Sequence, residues 1–225
     1  MPSPTNRPVS AGRLAELMGD ALPPASSLPD EAFALVERVR ELVAAVVLTD
    51  VDAHERAAAA DLVAEATRSL QSRQRPEPLL LVRHEDGRVE SLLQAGSGRL
   101  NPQAPPVEWI TRPTEPPPGT QPRPVEVRAR CTFTAAHGGS PGRVYGGVVA
   151  LVLDEVLGVA ARAAGASGMT VALSVSLAGA TPIGTSVDVV GRYTHSEGRR
   201  HFASGEVVVD GTVAARADAV YVGER

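Results

Sequence analysis

A nearly continuous apolar segment, residues 148–164, constrains the fold more than any other feature of this chain. Its only charged residues are Asp154, Glu155 and Arg162. A helix that is apolar on nearly every side must be enclosed by protein. One flat sheet cannot cover such a helix, so the sheet has to curl around it. A helix that lacks a second covering layer also favours pairing with another copy of the chain.

Strand-like segments lie on both sides of this helix. Residues 125–133 alternate apolar and polar side chains, which is typical of a strand with one wet face. Four further segments follow the helix, and the last two are joined by a hairpin signal, Asp210-Gly211: 170–177, 186–193, 201–209 and 212–222. We therefore predict an α+β fold for residues 125–225. An antiparallel sheet, with its last four strands as a meander, wraps around one long central helix.

The residues before this domain divide by composition. Residues 1–29 are rich in proline and small polar residues, and we expect a flexible tail there. Residues 102–124 are rich in proline as well and can donate few backbone hydrogen bonds. This second segment is expected to be an extended linker that marks the domain boundary.

Residues 30–101 are predicted to form a helical extension. Apolar residues recur every three to four positions over 33–47, and Asp52 with Glu55 has the pattern of a capping box before a second apolar stripe. Together these features predict a helical hairpin. A short strand pair is expected where apolar runs flank Gly87.

Composition excludes several classes of protein. The net charge of -4 and the aromatic content of 3% provide neither a broad positive field nor stacking platforms for nucleic acid. Cys131 is the only cysteine, so no intrachain disulfide forms and a reducing compartment is expected. The longest apolar run, residues 144–153, is shorter than the ~20 residues that span a bilayer. We expect a cytoplasmic protein with no membrane span and no nucleic-acid partner.

The start of the central helix and its first carboxylate are candidate chemical groups. Gly146 and Gly147 would leave helix-start amides, which carry partial positive charge, open to an oxyanion, although the same glycines also suit an ordinary turn. Burying the carboxylate of Asp154 costs several kcal/mol unless it is paired or hydrogen-bonded. Glu155 is rotated by ~100° and cannot point into the same pocket.

Other motifs fail on physical grounds. Residues 138–142 match the G-x-S-x-G pattern of serine hydrolases, but Pro141 lacks the N–H that the oxyanion hole needs. The histidines have no metal-ligand spacing, and we expect neither a metal site nor a redox cofactor.

Residues 142–150, followed by Asp154 and Glu155, resemble the signature of PaaI-like hotdog thioesterases. That signature has His-Gly-Gly at the helix start and an acidic residue nine positions after the histidine. Tyr145 occupies the histidine position here, and Asp154 the acidic one. Later segments, 169–173 and 181–184, resemble the family strand that ends in a Pro-x-Gly turn. The resemblance covers about residues 125–222.

The resemblance implies hydrolysis of an acyl-CoA thioester. Asp154 would be the catalytic carboxylate, activating water or attacking the thioester directly; Thr170 would orient the water; and the Gly147 amide would polarise the carbonyl. The candidate substrate contacts are Arg143, which could meet a coenzyme A phosphate, Tyr145, Gly146 and Glu155. Because tyrosine replaces the family histidine, a non-catalytic acyl-CoA-binding or regulatory hotdog protein stays open, as does a structural dimerisation module.

Helix geometry adds a constraint. Nine residues at ~1.5 Å each separate Tyr145 from Asp154 by ~13 Å, whereas catalytic contacts are near ~3 Å. One chain therefore cannot bring both to one carbonyl. We expect a homodimer with two composite sites, alone or as part of a dimer of dimers.

Overall fold

The computed structural model describes residues 21–117 and 119–223. The helices are α1 (Asp30–Leu48), α2 (Ala53–Gln71) and α3 (Gly146–Ala164). The strands are β1 (Leu81–Arg83), β2 (Val89–Ser91), β3 (Val107–Thr111), β4 (Val125–Thr132), β5 (Met169–Leu177), β6 (Ser186–Glu197), β7 (Arg200–Val209) and β8 (Thr212–Val222). No helix in these two ranges is long and apolar enough to cross a membrane.

Six strands form one antiparallel sheet in the order β3-β4-β6-β7-β8-β5, and α3 packs against it. Twelve of the nineteen residues of α3 are buried. The prediction of an α+β hotdog fold with one central helix is thus confirmed. The meander, however, contains only β6, β7 and β8, because β5 pairs with β8 at the sheet edge. The chain stays attached to β8 as it leaves β5, since the amides of Ala178 and Gly179 both donate to the carbonyl of Ala214.

Two glycines seat the central helix on the sheet. Gly191 of β6 and Gly205 of β7 lie directly opposite each other. A β-carbon on Gly191 would lie 2.9 Å from the carbonyl oxygen of Val156, and one on Gly205 would lie 2.9 Å from Cδ2 of Leu157. The backbone of α3 therefore rests almost directly on the strands at this point.

The proline-rich segment 102–124 is not a linker throughout. It contains β3, which pairs with β4 at the outer edge of the main sheet, and Trp109 packs against the core. The strand lies between Pro106 and Pro113, and an edge strand needs hydrogen bonds on one side only. The predicted domain boundary is therefore wrong at this strand.

The expected tail also differs from the structure. Residues 1–20 of the predicted flexible tail lie outside the described residues. The last part of the predicted tail is instead held to the protein at two points: Leu22 is buried against Leu81, and the amide of Arg83 donates to the carbonyl of Pro23 at 2.9 Å.

The helical extension forms, but its two helices do not pack as a hairpin. The capping box at Asp52 is present, with the amide of Glu55 donating to Asp52 Oδ1 at 2.9 Å. α1 contacts the body of the protein, where Arg40 donates to the carbonyl of Asn101 at 3.2 Å. No residue of α2 is buried. Its cap and its run of alanines favour a helix without tertiary cover.

We predict that Gly191→Ala destabilises the protein by about 1–3 kcal/mol, because the added methyl group would push the α3 backbone off the sheet. Chemical denaturation in urea measures this loss. Gly158→Ala is the matched control, since a β-carbon there would meet nothing closer than 3.4 Å and helix propensity favours alanine by up to ~1 kcal/mol. Equal urea midpoints for the two variants would contradict the close contact between Gly191 and the α3 backbone.

Candidate active site

The start of α3 presents free backbone donors. No side chain caps the helix, and within the described part of the chain the amides of Gly146 and Gly147 donate no hydrogen bond. The preceding loop is fixed because the amide of Tyr145 donates to the carbonyl of His137 at 2.9 Å. A β-carbon on Gly139 would lie 2.9 Å from the Cα of Tyr145, so the loop closes tightly on itself. These two amides are available to a ligand oxygen.

Side chains border the helix start on two sides. A β-carbon on Gly146 would lie 2.6 Å from Cδ1 of Leu177, and one on Gly147 would lie 2.7 Å from Cε1 of Tyr145. The ring of Tyr145 is 62% exposed and lies against Gly147. Arg143 is exposed in the same loop. Four of the sequence-predicted residues, Arg143, Tyr145, Gly146 and Gly147, are therefore neighbours here.

Asp154 and Thr170 meet at a second point along α3. The hydroxyl of Thr170, on β5, donates to Oδ1 of Asp154 at 3.2 Å. Asp154 is half-buried and Thr170, on the edge strand, is exposed, so the pair lies where the rest of the chain leaves α3 partly uncovered. The pair is solvent-accessible in the single chain and able to contact a substrate or a water molecule.

Of the two adjacent carboxylates of α3, Glu155 is the buried one, and the expectation that Asp154 is sequestered is wrong. Glu155 is 6% exposed and accepts hydrogen bonds from the side chains of Gln94 and Ser97, the latter at 2.9 Å. A β-carbon on Gly96 would lie 2.8 Å from the Cβ of Glu155, so this loop sits directly on the helix. In this structure Glu155 holds the loop on α3 and does not line the open face. The prediction of a substrate contact there is replaced by an anchoring role.

An apolar surface adjoins the open face of α3. β5 is an edge strand, and three of its large side chains are about half exposed: Met169, Val171 and Leu177. Exposed apolar residues on an unpaired strand edge are typical of a protein interaction surface. The pair of Asp154 and Thr170 lies at this edge.

Other reactive groups are poor candidates. Burial raises the pKa of the Cys131 thiol to about 12, so the sulfur stays protonated and inert. Burial lowers the pKa of His137, whose Nδ1 is bonded to Thr134. Within residues 21–117 and 119–223, no group of three or more histidine, cysteine, aspartate or glutamate residues could hold a metal ion.

The chain is similar in structure to known thioesterases. A solved thioesterase superfamily protein shares 28% sequence identity and a TM-score of 0.68, covering 89% of this chain and 97% of the other. Further likenesses are to PaaI from the E. coli phenylacetic acid degradation operon (13% identity, 52% and 82% covered, TM-score 0.45) and a hypothetical Streptococcus pneumoniae thioesterase solved with coenzyme A (14%, 53% and 90%, 0.45). No protein-family model and no curated protein matches the sequence. The first likeness extends well beyond residues 125–225, so it includes part of the N-terminal extension.

We predict that Glu155→Ala lowers the free energy of unfolding by about 2–3 kcal/mol, because two hydrogen bonds to a buried carboxylate are lost. Urea denaturation measures the change. Asp188→Ala is the control, since its ion pair with Arg130 is exposed and should contribute less than ~0.5 kcal/mol. An unchanged stability in Glu155→Ala would contradict the anchoring role.

Proposed function

Since this chain is a hotdog-fold member of the thioesterase superfamily, we propose that it hydrolyses the thioester bond of an acyl-CoA. The observation that carries the proposal is the hydrogen-bonded pair of Thr170 and Asp154 on the uncovered face of α3. A carboxylate that is oriented by a hydroxyl and open to a ligand suits general-base or nucleophilic chemistry.

In this proposal Asp154 supplies the base. Its carboxylate takes a proton from a water molecule as the water oxygen attacks the thioester carbonyl carbon, or it attacks that carbon itself. The carbon–sulfur bond then breaks and coenzyme A leaves as a thiolate. On the water route the acid is released and the proton on Asp154 passes to the thiolate or to solvent. On the direct route a water molecule then cleaves the acyl–Asp154 anhydride, which releases the acid and restores the carboxylate. Thr170 holds one carboxylate oxygen through its 3.2 Å hydrogen bond and orients the attack. Neither a metal ion nor a redox cofactor takes part in these steps.

The helix start stabilises the negative charge that develops on the carbonyl oxygen. The Gly147 amide donates to that oxygen, aided by the positive end of the helix dipole. Gly146 makes room for the side chain of Leu177, and the exposed ring of Tyr145, which lies against Gly147, contacts the substrate. Arg143 is exposed in the same loop, and in this proposal it binds a coenzyme A phosphate.

A second subunit is needed to complete the site. Gly147 and Asp154 lie on one face of α3, but seven residues separate them by ~10 Å along the helix axis. We propose that the helix start of one protomer faces Asp154 of the other across a twofold axis. The exposed apolar edge at β5 supports this homodimer, because its side chains and its free backbone groups are uncovered in the single chain.

A non-catalytic acyl-CoA binder is the alternative, and Tyr145 favours it because the phenol replaces an imidazole of different size and basicity. Thiol release from a panel of acetyl-, hexanoyl-, palmitoyl- and phenylacetyl-CoA separates the two. Hydrolysis by the wild type supports the enzyme. An inactive wild type together with an active Tyr145→His variant supports the binder.

We predict that Asp154→Asn lowers kcat/KM at least about a hundredfold, because the amide neither accepts the proton nor attacks the carbonyl. Thiol release is measured with the panel member that is turned over fastest. The matched control is Asp218→Asn on the exposed outer face of β8, which should keep full activity. Turnover by Asp154→Asn at the wild-type rate would remove this residue from the mechanism.

The shared site predicts complementation between two inactive variants. Gly147→Pro deletes the donor amide in the first helical turn, where proline is tolerated, whereas Gly147→Ala adds the same β-carbon and keeps the amide. Co-expression of Gly147→Pro with Asp154→Asn should restore about a quarter of wild-type activity, because half of the dimers are mixed and each has one intact site. No recovery on co-expression would place each site within a single chain.

A further inference from the structure

The hydroxyl of Tyr221 is a buried polar group without a hydrogen-bond partner among the described residues. The residue is 3% exposed and belongs to the core around α3. Buried hydroxyls are nearly always hydrogen-bonded, and leaving one unsatisfied is costly. Phenylalanine would fill this position in the core equally well. The hydroxyl of Tyr221 therefore needs an explanation other than packing.

The register of the sheet places Tyr221 next to the catalytic pair. Tyr221 on β8 lies directly opposite Thr170 on β5. Residues directly opposite in an antiparallel pair share one face, with β-carbons about 5 Å apart. Since Thr170 reaches Asp154 from that face, the ring of Tyr221 lies on the same side of the sheet.

The hydroxyl reaches α3 one turn beyond Asp154. It lies 3.9 Å from the position that a β-carbon on Gly158 would occupy. Residues 154 and 158 are neighbours on the surface of a helix, about 6 Å apart. The phenol oxygen is thus close to the side of the helix from which Asp154 projects.

The two carboxylates near the phenol differ in how many of their oxygens already accept a hydrogen bond. Burial raises the pKa of Tyr221, the negative charge of Asp154 raises it further, Arg162 opposes the shift, and Glu155 adds less than Asp154 does. The phenol therefore stays protonated and is a donor. Both oxygens of Glu155 already accept hydrogen bonds from the 94–97 loop, whereas among the described residues Asp154 has a donor, Thr170, on Oδ1 only.

We propose that Tyr221 is a positioning residue for the proposed hydrolysis: its hydroxyl donates to one bridging water molecule, which in turn donates to the carboxylate of Asp154. With Thr170 on Oδ1 and Tyr221 on the inner side, the carboxylate is held in one orientation. The expected effect on catalysis rests on the proposed function. The expected contact between Tyr221 and Asp154 rests on the fold alone.

The test is Tyr221→Phe, assayed with the acyl-CoA of the panel that the wild type turns over fastest. We expect kcat to fall about tenfold with KM within about twofold, because the orientation of the carboxylate matters during the reaction and not for substrate binding. Tyr193→Phe is the matched control: Tyr193 is also buried, but its hydroxyl is bonded to Ser196 at 2.6 Å. Its kcat should be unchanged.

A second measurement does not depend on activity. Melting temperatures of the wild type, Tyr221→Phe, Asp154→Asn and the double variant form a double-mutant cycle. A contact predicts shifts that fail to add by about 2 °C or more. Additive shifts, or an unchanged kcat in Tyr221→Phe, would overturn the proposal. A wild type inactive on every acyl-CoA would refute the proposed function, and the melting cycle alone would then decide the contact.

Discussion

The burial of α3 is the constraint on which the rest of the structure depends. The helix touches the sheet through Gly191 and Gly205, and the 94–97 loop covers another side through Glu155. One face is left open, and it contains Asp154. The two adjacent carboxylates therefore lie in different environments. Glu155 accepts hydrogen bonds from a loop of its own chain, and Asp154 is accessible to a ligand or to a second subunit. The division follows from the ~100° turn between successive residues of a helix.

Much of the main domain could be predicted from the sequence because its signals are local. The apolar run gave the central helix, period-two alternation gave β4, and the resemblance around Tyr145 and Asp154 named a pair, Asp154 with Thr170, that the structure brings into contact. The sequence also shows that Asp154 and Glu155 cannot point into the same pocket. Which of the two is buried was not, because Gln94 and Ser97 are some 60 positions away and no sequence period reports such a contact.

The errors have a common physical origin. β3 was missed because prolines dominate its surroundings, although an edge strand tolerates them outside its paired residues. α2 was expected to pack because its apolar residues are periodic, yet a capped, alanine-rich helix forms without a partner. No function was predicted for Tyr221, because the neighbours of its hydroxyl are determined by the register of β8 against β5. In each case the outcome depends on whether distant segments pair: β3 and β8 pair with other strands, whereas no residue of α2 is buried.

The edge position of β5 has a consequence for how such a protein can diversify. Its exposed side chains Met169 and Val171 belong to no core cluster of their own chain. Substitutions there leave the folding stability of the protomer nearly untouched while changing the surface through which the proposed dimer forms. The scaffold thus separates the residues that hold the protomer together from those that select its partner subunit. A few changes in a single strand would then alter how two protomers meet.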